Sequence, residues 1–128
     1  MGGQFASGLV GGDLLALFGD LGSGKTTFVK GLAHSLGVEK NIKSPTYNIV
    51  KIYPINHSRI KNLVHIDAYR LNSSADTESI GLDEIIRNKE NVTFIEWPEN
   101  VWLAIETEAK QIKFVYINEN SRQISYRD

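Results

Sequence analysis

Eight consecutive residues, Gly19-Asp20-Leu21-Gly22-Ser23-Gly24-Lys25-Thr26, hold the clearest chemistry in the chain. They match the pattern G-x-x-x-x-G-K-[ST] at every fixed position. From average residue usage, a chain of this length meets the pattern by chance about once in two hundred. Glycines let a backbone curl closely where a Cβ would collide. Successive N–H groups then converge as an anion nest, and the helix that follows adds the partial positive charge of its N-terminus. Lys25 is placed to reach the β and γ phosphates of a nucleotide, and Thr26 to offer its hydroxyl to Mg²⁺. Gly22, Ser23, Gly24 and Thr27 complete the expected cradle. The plainer alternative is a glycine-rich strand-to-helix turn without a ligand.

A phosphate loop needs carboxylates near its metal, and these stand at the carboxyl ends of neighbouring parallel strands. Two segments fit. Val92-Thr93-Phe94-Ile95-Glu96 is an apolar run ending in an acid, and Leu63-Val64-His65-Ile66-Asp67 is another. Alone, either acid could be a solvated residue or a helix cap. Spacing does not separate base, metal ligand and water-positioner for Asp67 and Glu96. His65 alternates with Asp67, so both face one side of a strand; a hydrogen-bonded structural histidine is its simplest reading. His34 and His57 offer no metal-ligand spacing.

The elements that must position these groups follow from the apolar pattern. Asp13 to Phe18 reads as a buried strand bounded by glycine. From Lys25 the spacing turns helical, with Phe28, Val29, Leu32, Ala33 and Leu36 on one side and Gly37 as the stop. Tyr47 to Tyr53, Leu63 to Asp67 and Val92 to Glu96 read as strands, Thr77 to Arg87 as one helix, and Gln4 to Leu9 as a short helix. Ile112 to Ile117 and Gln123 to Tyr126, separated by turn residues, predict a hairpin. The expected fold is therefore α/β, a P-loop NTPase-like three-layer arrangement with a central mixed, mainly parallel sheet and a C-terminal β-hairpin. One domain over residues 1–128 is expected.

Bulk composition narrows the classes. The formal net charge of -1 argues against a strongly basic nucleic-acid grip. No cysteine is present, so disulfides, thiolate metal sites and cysteine nucleophiles are excluded, and a reducing cytoplasm is the expected compartment. No apolar run approaches the roughly 20 residues that cross a bilayer, so no membrane role is expected.

Taken in order, Gly19 to Thr27, Ser44-Pro45-Thr46-Tyr47, His65-Ile66-Asp67-Ala68-Tyr69-Arg70-Leu71 and Glu96-Trp97-Pro98-Glu99 form a set. That set resembles the TsaE (YjeE) family of tRNA threonylcarbamoyladenosine biosynthesis proteins, over nearly the whole chain from Gly12 onward. The resemblance implies a small ATPase using ATP and Mg²⁺. It would act with TsaD and TsaB, which transfer threonylcarbamoyl to the adenosine next to the anticodon, and would meet tRNA only through that complex. Thr26 and Glu96 then look like metal partners, and Lys25, Asp67 and Glu96 like the catalytic set. Thr46 falls in a switch-like loop, Trp97 is placed to stack on adenine, and Arg122 could reach a phosphate or base. Trp102 reads as structural. Set against the family pattern, Met1 stands almost inside the helix before the first strand, so an N-terminal segment is expected to be missing.

Two other enzymes share a phosphate loop. A GTPase would carry N-K-x-D, but Asn88-Lys89-Glu90-Asn91 ends in Asn, precedes a strand, and is accompanied by no D-x-x-G. A small-molecule kinase would need an acceptor pocket and a lid, for which little length is spare. A nucleotide-gated binding module with negligible hydrolysis is the third alternative.

Overall fold

The computed structural model describes residues 8–19, 24–38, 49–55, 59–72, 74–118 and 121–127; for Thr26, Ser74 and the described residues from 116 onward it describes the backbone alone. Six strands form one sheet: β1 (Leu14–Phe18), β2 (Val50–Pro54), β3 (Asn62–Asp67), β4 (Asn91–Glu96), β5 (Ala109–Asn118) and β6 (Ser121–Arg127). Their spatial order is β2-β3-β4-β1-β5-β6. The four central strands run parallel, while β2 and β6 pair antiparallel at the edges. The mixed, mainly parallel sheet and terminal hairpin match the sequence reading.

The central strands carry near-continuous apolar runs because both faces are covered. On one face, Leu15, Leu17, Leu63, Val92 and Phe94 pack with Phe28, Val29, Leu32 and Ala33 of α1 (Lys25–Ser35) and with Leu36 at its C-cap. On the other, Leu14, Ala16, Val64, Ile66 and Ile95 meet Leu82 of α3 (Leu82–Arg87) and Ile105 of α4 (Trp102–Ile105). Helices on both sides of a sheet make the three layers. Trp102 packs here, edge-on to Phe18 at 5.4 Å, as a structural residue. Edge strand β2 is largely exposed and ends at Pro54, as an edge tolerates.

The helix predicted over Thr77 to Arg87 is two short ones, α2 (Ser74–Ser79) and α3, because Gly81 takes φ +69 between them and turns the chain. The second strand begins at Val50; residues 47 and 48 of its predicted span lie outside the described residues. So do residues 4–7 of the predicted N-terminal helix, and Leu9 is not helical. Both hairpin strands run longer than predicted, with Asn118 opposite Ser121.

Candidate functional site

The parallel strands β1, β3 and β4 have their carboxyl ends at one edge of the sheet, and α1 begins there, with Lys25 beside Trp97. Gly24 lies at φ +103 as its N-cap, a conformation only glycine adopts freely, and its carbonyl accepts the Phe28 N–H at 2.9 Å. This starts α1 at Lys25, whose side chain is buried against the site (7% exposed). Its Nζ lies 5.0 Å from the centre of the Trp97 ring, a cation–π contact. Among the described residues it makes no ion pair.

Register brings the two predicted acids together. Asp67 and Glu96 stand opposite each other on β3 and β4, and Leu17 stands beside Glu96 on β1. Residues paired in register share a face, here the α1 face, with backbones about 4.8 Å apart. His65, two residues before Asp67, shares that face. Its Nε2 lies 2.7 Å from Glu96 Oε2, in a pair that is nearly inaccessible to solvent. Burial pushes the Glu96 carboxyl up. The hydrogen bond from His65, the imidazole's charge when protonated and the Lys25 ammonium outweigh it, and the carboxyl sits below the usual glutamate range. Asp67 is half-buried, and its Oδ1 accepts the Tyr69 N–H at 3.0 Å in a local turn.

Trp97, directly after Glu96, has φ 56 and ψ 48, and is the only non-glycine at positive φ among the described residues. A bulky residue before a proline is doubly out of place there, at a cost of roughly 1–3 kcal/mol. Its neighbours hold it. Asn100 donates from Nδ2 to the carbonyls of Ala68 and Tyr69, at 2.9 and 3.1 Å, and its N–H reaches the Trp97 carbonyl at 3.2 Å. The Tyr69 ring meets the indole edge-on at 5.2 Å. The strained turn therefore hangs the indole over the phosphate-loop lysine.

The structure thus gathers Lys25, Asp67, Glu96 and Trp97 at one end of the sheet. Thr27 lies exposed in the first turn of α1. Gly22, Ser23 and Thr46 lie outside the described residues, as do the side chains of Thr26 and Arg122. Asn100, the contact of Tyr69 with Trp97 and the binding of Glu96 by His65 escaped the sequence reading. The His65–Asp67 alternation was visible, but the partner strand supplying Glu96 is set by register alone.

The site residues suit a magnesium–nucleotide complex. No group of three His, Cys, Asp or Glu side chains forms a metal cage among the described residues. Mg²⁺ needs none, being held by one or two carboxylates together with phosphate oxygens and water. The buried ammonium of Lys25, which forms no ion pair among the described residues, fits an arriving anion.

These features define a three-layer α/β protein that carries a phosphate-loop sequence between its first strand and first helix. The chain belongs to the TsaE family: the family model for "Threonylcarbamoyl adenosine biosynthesis protein TsaE" matches residues 1–124. A Bacillus subtilis relative, named tRNA threonylcarbamoyladenosine biosynthesis protein TsaE, is 36% identical over 115 residues, 90% of this chain and 69% of its own. A relative of the same name from Treponema pallidum is 37% identical over 114 residues, 89% of this chain and 81% of its own. The crystal structure of Bacillus subtilis YdiB superposes with a TM-score of 0.78 at 30% identity, covering 98% of this chain and 74% of that one. No helix among the described residues is long and apolar enough to cross a membrane.

Proposed function

We propose that this protein is a Mg²⁺-dependent ATPase that serves as an accessory subunit in threonylcarbamoyladenosine formation, acting in the cytoplasm with TsaD and TsaB and not performing the transfer itself. The observation that carries the reading is the convergence of a buried lysine at a helix N-terminus with two in-register strand-end carboxylates. Lys25 exchanges its contact with the Trp97 ring for charge-assisted hydrogen bonds to the β and γ phosphates of ATP, each worth about 1.5–3 kcal/mol. The backbone amides of the loop from Gly22 through Thr26 cradle the same phosphates. Thr26 and Glu96 hold the divalent ion, which supplies charge neutralisation at the phosphate oxygens. Asp67, beside Glu96 and half-open to solvent, orients the attacking water. Trp97, relieved of Lys25, offers a ring face to the base, while Thr27 of the first turn of α1, Arg122 of β6 and Thr46 approach the nucleotide.

The reading predicts slow release of free phosphate from ATP by the isolated protein, raised by roughly tenfold or more when TsaD and TsaB complete the site, by analogy with activating proteins. Phosphate release with and without the purified pair measures this. Preference for GTP in competition, or a phosphorylated metabolite in place of free phosphate, would replace the ATPase reading with a GTPase or a small-molecule kinase.

A further inference from the structure

His65 lies fully buried between Leu63 and Asp67 on the site face of β3. Its Nδ1 is buried with no hydrogen-bond partner among the described residues, while Nε2 meets Glu96 Oε2 at 2.7 Å. A proton on Nδ1 would bury an unpaired donor. The tautomer protonated at Nε2 leaves Nδ1 as a bare acceptor and donates to the carboxylate. The imidazole is therefore committed to one partner. It fastens one oxygen of Glu96, and no described residue hydrogen-bonds the other. Packing does not account for the pair. The surrounding cluster of Leu17, Leu63, Val92 and Phe94 is already apolar. A buried polar couple in such a place is commonly replaceable by apolar side chains without loss of stability.

We propose that His65 is a positioning residue, holding the Glu96 carboxylate so that its second oxygen meets the divalent ion of a metal–nucleotide complex; the role rests on the nucleotide reading above. Ligand-orienting hydrogen bonds of this kind govern metal affinity even though they never touch the metal.

The test is Mn²⁺ binding in the presence of ADP, followed by the electron paramagnetic resonance of free Mn²⁺, with ADP binding in EDTA as its counterpart. In His65→Leu, Mn²⁺ affinity falls about tenfold or more. ADP affinity in EDTA stays within about twofold of wild type. His65→Gln, which keeps an N–H donor near the Nε2 position, recovers most of the Mn²⁺ affinity. Circular dichroism checks folding, and His65→Met provides the apolar replacement with a more adaptable side chain if the leucine variant does not fold. Unchanged Mn²⁺ affinity in the folded apolar variant, an equal fall in EDTA, or no rescue by Gln would each overturn the positioning role while leaving the nucleotide reading intact. Failure of the wild-type protein to bind Mn²⁺ with ADP would overturn the nucleotide reading itself.

Discussion

At the amino ends of the parallel strands, buried polar groups are fully used. Asp13 accepts the Val10 N–H through Oδ2 at 2.9 Å and pairs through Oδ1 with Lys110 at 3.2 Å. Asn91 accepts from Asn62 and donates to the Ile85 carbonyl, both at 3.1 Å. At the carboxyl ends the same kinds of residue are left incomplete. Among the described residues, Glu96 has one oxygen engaged, by His65, and Lys25 faces an aromatic ring in place of a carboxylate. Beside them an indole is held at positive φ. Buried polar groups are ordinarily satisfied; the one buried side-chain atom without a partner among the described residues, His65 Nδ1, lies at the carboxyl end, the end to which the proposed function assigns the nucleotide.

The comparison can be strained from either end. Asp13→Ala deletes an acceptor and an ion-pair partner in a buried setting, and is expected to cost about 2 kcal/mol of unfolding free energy, read by urea denaturation. Nucleotide affinity of the folded variant should not change. A loss of affinity there would erase the distinction between the ends.

The pH dependence of stability sharpens the other end. The folded Glu96 carboxyl sits below the ordinary glutamate value of about 4.3. Its ionisation therefore contributes stability in full above that pH, and the contribution is lost as pH falls through the depressed value. Urea unfolding of the wild type should weaken more steeply over this acid window than that of Glu96→Gln, which has no such proton to gain. Equal slopes would mean that His65 and Lys25 do not favour the ionised form.

The smallest effect belongs to an exposed charge pair on a helix surface. Arg87 and Asp83, one helical turn apart on α3, form a 3.1 Å ion pair with both side chains largely exposed. Arg87→Ala should lower stability by no more than about 0.5 kcal/mol, a shift near the resolution of a thermal melt.

Much of this was legible in the sequence, and the legible parts share a physical reason. The glycine-bounded run Leu14 to Phe18, the phosphate-loop pattern and the helical spacing after Lys25 are local signals, each contained in a dozen residues or so. The two strand-end acids were legible as candidates because parallel strands place their carboxyl ends at one edge. What was not legible depends on long-range pairing or on backbone geometry. The helix over Thr77 to Arg87 divides because Gly81 adopts a positive φ that its neighbours do not announce. The bond from His65 to Glu96 requires β3 and β4 to pair in the register that puts Asp67 opposite Glu96; a slip of one residue would send His65 to the other face. The seat of Trp97 over Lys25 depends on a turn fastened by Asn100, 31 residues from its acceptor on Tyr69.

Calorimetric titration of Mg²⁺–ADP into two lysine variants decides at which end of the sheet the nucleotide sits. Lys25→Ala should weaken binding by at least roughly tenfold, while Lys110→Ala, which removes a partly buried ammonium paired with Asp13 at the opposite end of the sheet, should stay within about twofold of wild type. Undiminished binding by Lys25→Ala, or an equal loss in both variants, would contradict the placement of the nucleotide at the carboxyl ends of the strands.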